Sequence, residues 1–222
     1  MADTVDAVEM HKTDFDSERL AFHEQMAGAY HGFLHYTLVA NAGNEALYKG
    51  MREFRNKFLS SYFIENAPVA PLFGNSEKVR KKYGGAGVRR YLVADYYSHE
   101  ALKILRTCRP LARRLCFEHI LPKTELIQAL CEGKVAEAGN EFGVADIKGM
   151  LDSYWHLAVI TAEEHRELLT GRKMPTGWTP KDHIFKRYEK LARMKGFRLY
   201  RSREDAKQCQ SVLVENSVDS CN

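Results

Sequence analysis

Leu115-Cys116-Phe117-Glu118-His119-Ile120-Leu121-Pro122 and His156-Leu157-Ala158-Val159-Ile160-Thr161-Ala162-Glu163-Glu164-His165 are the two stretches on which the fold turns. The first reads as a strand over Leu115–Leu121, closed by Pro122, which has no N–H for a ladder. The second reads as a strand over Leu157–Thr161 followed at once by a helix. Thr161 and Glu164 have the spacing of a capping box, which starts that helix at Ala162. Glu163 and Glu164 suit the positive end of its dipole, and His165 follows close to the helix start. Polar residues placed where strands give way to turns or helices can converge from separate segments. A carboxylate and several imidazoles so placed form a ligand set for a metal ion.

Working outward, Ser17 to about Tyr62 has helical spacing, with Asp16-Ser17-Glu18 able to cap the start. Leu20, Met26, Tyr30, Phe33 and Leu34 mark one helix, and Leu47, Tyr48, Met51, Phe54 and Phe58 a second; Asn41-Ala42-Gly43-Asn44 breaks them into a hairpin. Asn66–Gly74 is a Pro- and Gly-containing connector. Lys78–Tyr91 is a basic, glycine-containing, aromatic-flanked stretch that could approach phosphates or lie solvated, and it matches no P-loop or dinucleotide fingerprint. Helical spacing resumes over 92–112. A short helix over Thr124–Glu132, a loop over Gly133–Gly143 and a helix over Asp146–Tyr154 are expected next. A connector over Lys173–Pro180 precedes a basic amphipathic helix over Lys181–Met194, with Ile184, Phe185, Tyr188 and Leu191 inward, then a short strand over Phe197–Tyr200.

The 222 residues, 45% hydrophobic and 28% charged, suit a packed globular chain of one large or two small domains. No apolar run nears the roughly 20 residues a membrane helix needs. Met1–Asp16 is acidic and polar, unlike a signal peptide, so a cytoplasmic location is expected. Five cysteines with no C-x-x-C pair point to reduced thiols rather than a disulfide framework or zinc knuckle. The net charge of +4 is unevenly spread: −4 over residues 1–66, +7 over 67–130, −5 over 131–170 and +6 over 171–222. Two basic segments thus flank an acidic one. That suits a cation site within a phosphate-binding surface, or a patchwork of solvated faces.

Residues 113–169 resemble the ββα-metal core of the HNH endonuclease superfamily. Glu118-His119-Ile120-Leu121-Pro122 is similar to its acid–His strand, and His156–Thr161 followed by His165 to its second strand and helix, including the nine-residue step. The resemblance implies an α+β, mostly helical fold: a ββα-metal core with inserted short helices plus an N-terminal helical region. Its division would be a flexible N-terminus at 1–16 and a helical region with the basic Gly-rich loop at 17–110. The HNH-like core at 111–172, a basic helix and short strand at 173–203 and a disordered tail at 204–222 would follow. The resemblance also implies Glu118 and His165 as ligands of one divalent ion (Mg²⁺, Mn²⁺ or Zn²⁺) and His119 as the general base. His156 stands where the family has Asn, as a further ligand or a brace. The implied substrate is DNA or RNA, with Arg113, Arg114, Lys123, Lys186, Arg187 and Lys190 on its backbone. A role in defence or a mobile element, controlled by a partner such as an ATPase or by homo-oligomerisation, is the family analogy.

Outside this constellation, His31 and His35 lie four apart on the first helix and could bind metal, with His23 two turns earlier, but no HExxH pattern accompanies them and aromatic-rich core packing is the expectation. His99 and His183 have no evident partners in the sequence, and no nucleophile elbow supports serine or cysteine catalysis. The rival class to a nuclease is a non-catalytic nucleic-acid-binding or interaction protein with a structural or degenerate metal site.

Overall fold

Leu157–Thr161 is a strand with all five side chains buried, as a continuous apolar run requires of a strand covered on both faces. It lies inside a four-stranded sheet of the computed structural model. That model describes residues 3–70, 73, 88–107, 114–122, 127–138, 141–168, 173–179, 181–194 and 196–201, with backbone only for residues 3–16, 50–56, 106 and 107. The remaining expectations, among them most of the basic Gly-rich loop, Arg113, Lys123 and the tail after 203, lie outside the described residues.

In chain order the elements are α1 (Asp3–Leu34), a π-helical turn (His35–Ala40), α2 (Glu45–Asn66) and a 3-10 turn (Arg89–Tyr91). Then come β1 (Tyr96–Ser98), α3 (His99–Thr107), β2 (Leu115–His119), α4 (Ala129–Ala138), α5 (Val144–Tyr154), β3 (Leu157–Thr161) and α6 (Ala162–Arg166). A 3-10 turn (Lys186–Tyr188), α7 (Glu189–Ala192) and β4 (Leu199–Arg201) complete the described chain. The fold is mixed α and β and mostly helical, with a small sheet of order β2-β3-β1-β4. β1 runs parallel to β3, whereas β4 is antiparallel to β1 and β2 to β3. No helix among the described residues is long and apolar enough to cross a membrane.

The chain forms two compact units. The first holds the described residues of Met1–Phe15, Val69–Pro122 and His156–Asn222, and the second those of Asp16–Pro68 and Lys123–Trp155.

The second unit is helical. Met26, Tyr30 and Leu34 of α1, Leu59 and Phe63 of α2, and Ile147 and Leu151 of α5 are buried. The expected break between α1 and α2 is a turn in which Gly43 takes φ +82°, a conformation glycine adopts without strain. Asn44 then caps α2 by accepting from the Leu47 N–H at 3.0 Å. His23 Nδ1 meets Asp152 Oδ1 at 2.8 Å, and Lys148 Nζ meets Oδ2 at 2.5 Å. Burial opposes the charge on Asp152, but the bonds from Lys148 and His23 outweigh it and hold the carboxyl below its ordinary 3.8.

The first unit holds the sheet. One face of it carries Tyr96, Ile120, Ala158 and Ile160 and packs on Leu168, Phe185, Tyr188, Leu191 and Phe197 from the later chain. α3 packs against β3. Tyr91 Oη donates to the Leu115 carbonyl at 3.3 Å, at the start of β2.

Several local expectations shift. Asp16-Ser17-Glu18 lies inside α1, because a capping sequence marks where a helix can start, not where it must. Tyr96–Ser98 is a strand, not helix: apolar residues four apart over so short a run do not separate the two, and aromatic residues suit strands. α4 continues through Gly133 to Ala138, where a loop was expected; nothing crowds Gly133, and a helical glycine costs only about 1 kcal/mol against alanine. The expected helix over Lys181–Met194 is a 3-10 turn plus the single turn of α7. Phe185, Tyr188 and Leu191 are buried as expected. Arg187, one residue before Tyr188 in the 3-10 turn, is buried as well.

Candidate metal centre and its surroundings

β2 and β3 pair in the register Cys116↔Ile160, Phe117↔Val159, Glu118↔Ala158 and His119↔Leu157. The Ala162 N–H donates to the Arg114 carbonyl at 2.9 Å, so α6 begins beside the start of β2. Thr161 caps α6: the Glu164 N–H donates to Thr161 Oγ1 at 3.1 Å, and the Thr161 N–H donates to Glu164 Oε2 at 2.7 Å. Both halves of the expected capping box are therefore present.

Capping sets the rotation of α6 and with it the place of His165. His165 Nε2 lies 3.0 Å from Glu118 Oε2, although 47 residues separate them. The pair sits at the edge of solvent, with the Glu118 side chain 15% exposed and His165 35%. Of the expected constellation, these two meet.

The other oxygen of Glu118 is taken. Arg187 Nη2 lies 2.9 Å from Glu118 Oε1, and its side chain is 0% exposed. Arg187 Nη1 donates to the His119 carbonyl at 3.0 Å and more weakly to that of Ile120 at 3.4 Å. Arg187 was expected on an exposed nucleic-acid track; the packing of Phe185 and Tyr188 draws it under the sheet instead, where Glu118 compensates its charge.

His119 follows Glu118 on β2, and successive side chains on a strand point to opposite faces. Its ring lies 6.0 Å from that of Phe117, two residues back on the same face. His119 is thus across the strand from Glu118 and His165. His156 extends β3, its carbonyl accepting from the Ile120 N–H at 2.9 Å, and its ring stands edge-on to Tyr96 at 6.3 Å.

Of the expected phosphate contacts that are described, Arg114 is exposed, whereas Lys186 pairs with Glu189 at 2.7 Å and Lys190 with Glu167 at 2.6 Å. Burial pushes the Cys116 thiol up, with Glu118 adding to the shift, so it is a poor nucleophile. The Tyr188 phenol is raised by burial and by the nearby Glu118 charge.

Ser98, at the end of β1, was not singled out in the sequence. Its Oγ donates to Glu164 Oε2 at 2.6 Å and accepts from the Ala101 N–H at 3.1 Å, so one buried hydroxyl joins the start of α3 to the cap of α6. No spacing announces it, because Ser98 and Glu164 are 66 residues apart.

Among the described residues no group of three or more His, Cys, Asp or Glu side chains is arranged to share a metal ion. Glu118 and His165 would offer two ligands, one carboxylate oxygen and one imidazole nitrogen. So small a set would leave the remaining positions to water and substrate phosphate; its carboxylate suits Mg²⁺ or Mn²⁺ and its imidazole suits Zn²⁺. No family model, no curated protein and no solved structure matches the chain.

Proposed function

We propose that the first unit is a metal-dependent endonuclease of the ββα-metal type, hydrolysing phosphodiester bonds in nucleic acid. The observation that carries this is the meeting of Glu118, from the first strand of an antiparallel pair, with His165, on the helix that follows the second strand, at 3.0 Å. Glu118 Oε2 and His165 Nε2 would hold one divalent cation. Such a cation supplies charge stabilisation to the scissile phosphate and its leaving oxygen. His119 has an imidazole suited to taking a proton at neutral pH, but alternation on β2 places it across the strand, so its part as general base has the least geometric support. Arg114 and the +7 and +6 segments favour a polyanionic substrate.

A second reading is favoured by the Arg187–Glu118 contact. Glu118 can equally be one half of a buried ion pair that fastens the later chain to β2, in a protein that binds nucleic acid without cutting it.

Plasmid nicking in Mg²⁺, Mn²⁺ or Zn²⁺ separates the two. Cleavage by the wild type that disappears in both Glu118→Gln and His165→Ala, with both variants folded, supports the nuclease. Cleavage untouched by either substitution removes these residues from the site. Salt-sensitive DNA binding with no cleavage in any metal assigns the second reading.

A further inference from the structure

We infer that Arg187 is a positioning residue of the Glu118–His165 site: its guanidinium holds Oε1 of Glu118 and so leaves Oε2 as the one carboxylate oxygen facing His165 and any cation the two share. This rests on the metal-dependent reading proposed above.

Three acceptors converge on the one side chain: Glu118 Oε1 at 2.9 Å, the His119 carbonyl at 3.0 Å and the Ile120 carbonyl at 3.4 Å. A guanidinium presents its donors in a rigid plane, so bonding two backbone carbonyls and a carboxylate together fixes the carboxylate relative to β2 itself. The terminal torsion of a glutamate is otherwise broad and two-fold, and the two oxygens would exchange freely. The surroundings sharpen the inference. Arg187 is fully buried within the unit that packs Ile120, Ala158, Tyr188 and Leu191 on this face. Apolar packing there would avoid the desolvation cost of a charge, and buried ion pairs often add no net stability over such packing. What an apolar side chain could not do is orient Glu118.

The test is Mn²⁺ binding by calorimetry at neutral pH, on wild type, Arg187→Met and Arg187→Lys, with melting temperatures alongside and Lys49→Ala, an exposed lysine of α2, as a surface control. Methionine removes a positive charge from beside a cation site, so Coulomb's law alone predicts tighter binding. Positioning predicts the reverse: affinity falls about tenfold or more, the usual loss when a residue that orients a metal ligand is removed. Lysine keeps the charge but not the fork, and its loss should be intermediate. Wild-type or tighter Mn²⁺ binding in a folded Arg187→Met overturns the inference. If that variant does not fold, Arg187→Lys decides alone: folded with weakened binding supports positioning, folded with wild-type affinity overturns it. A wild type that binds neither Mn²⁺, Mg²⁺ nor Zn²⁺ overturns the metal-dependent reading and this inference together, a result distinct from equal binding by all forms.

Discussion

Ser98 Oγ lies 2.6 Å from Glu164 Oε2, and through that contact the end of β1 holds the cap of α6. Glu164 serves twice, as the reciprocal member of its own helix cap and as the acceptor for a buried hydroxyl from another strand. His165 is the next residue, so the rigidity of this junction sets where the imidazole sits.

Ser98→Ala should therefore destabilise the first unit. It removes a donor from Glu164 and leaves the Ala101 N–H without its acceptor, at a cost of about 1–3 kcal/mol for buried groups of this kind. Urea denaturation reads this directly, and an unmoved midpoint would show that the junction holds without the hydroxyl.

His119 and Glu118 should separate in their effects. Because they lie on opposite faces of β2, His119→Ala is expected to keep wild-type Mn²⁺ affinity while Glu118→Gln loses it. Calorimetry on the two variants checks the division; equal losses would place both imidazole and carboxylate at the cation.

Asp152 gives the second unit an acid-labile anchor. Its carboxyl is held below 3.8 in the fold by Lys148 and His23 despite partial burial, whereas the unfolded chain restores the ordinary value. A depressed carboxyl contributes stability above its unfolded pKa and loses that contribution as pH falls through the folded one. Stability should thus decline below about pH 4, with Asp152→Asn less stable than wild type at pH 7 and flatter between pH 5 and 3. Melting curves across that range would count against the anchor if both proteins declined in parallel.

Arg114 is exposed at the start of β2, beside the first residue of α6. If it contacts a phosphate, Arg114→Ala should weaken DNA binding uniformly across sequences and lower the slope of log K against log salt by about one. A salt dependence identical to wild type would place Arg114 off the nucleic acid.

Much of the fold was legible where local rules act alone. β2 begins at Leu115 as read but ends at His119, two residues short of Leu121, whereas β3 spans Leu157–Thr161 as read and the Thr161–Glu164 box starts α6 at Ala162. The hairpin of α1 and α2 breaks at Asn41–Asn44 because Gly43 and Asn44 each have one structural use there. The strand at Tyr96–Ser98 was not legible, since three residues carry no period and only pairing with β3 and β4 makes them a strand. Nor was the inward turn of Arg187: an arginine amid basic neighbours reads as solvated until a carboxylate is brought beneath it.

The sequence by itself determined which residues end strands and cap helices, because those properties depend on neighbours within a few positions. Only the tertiary structure decided which of them meet. Strand alternation sent His119 away from Glu118, and packing of the 185–191 segment brought Arg187 to Glu118. Pairing of β2 with β3 carried His165 to within 3.0 Å of a carboxylate 47 residues earlier. Such contacts follow from how burial closes the chain on itself, and no local pattern encodes them.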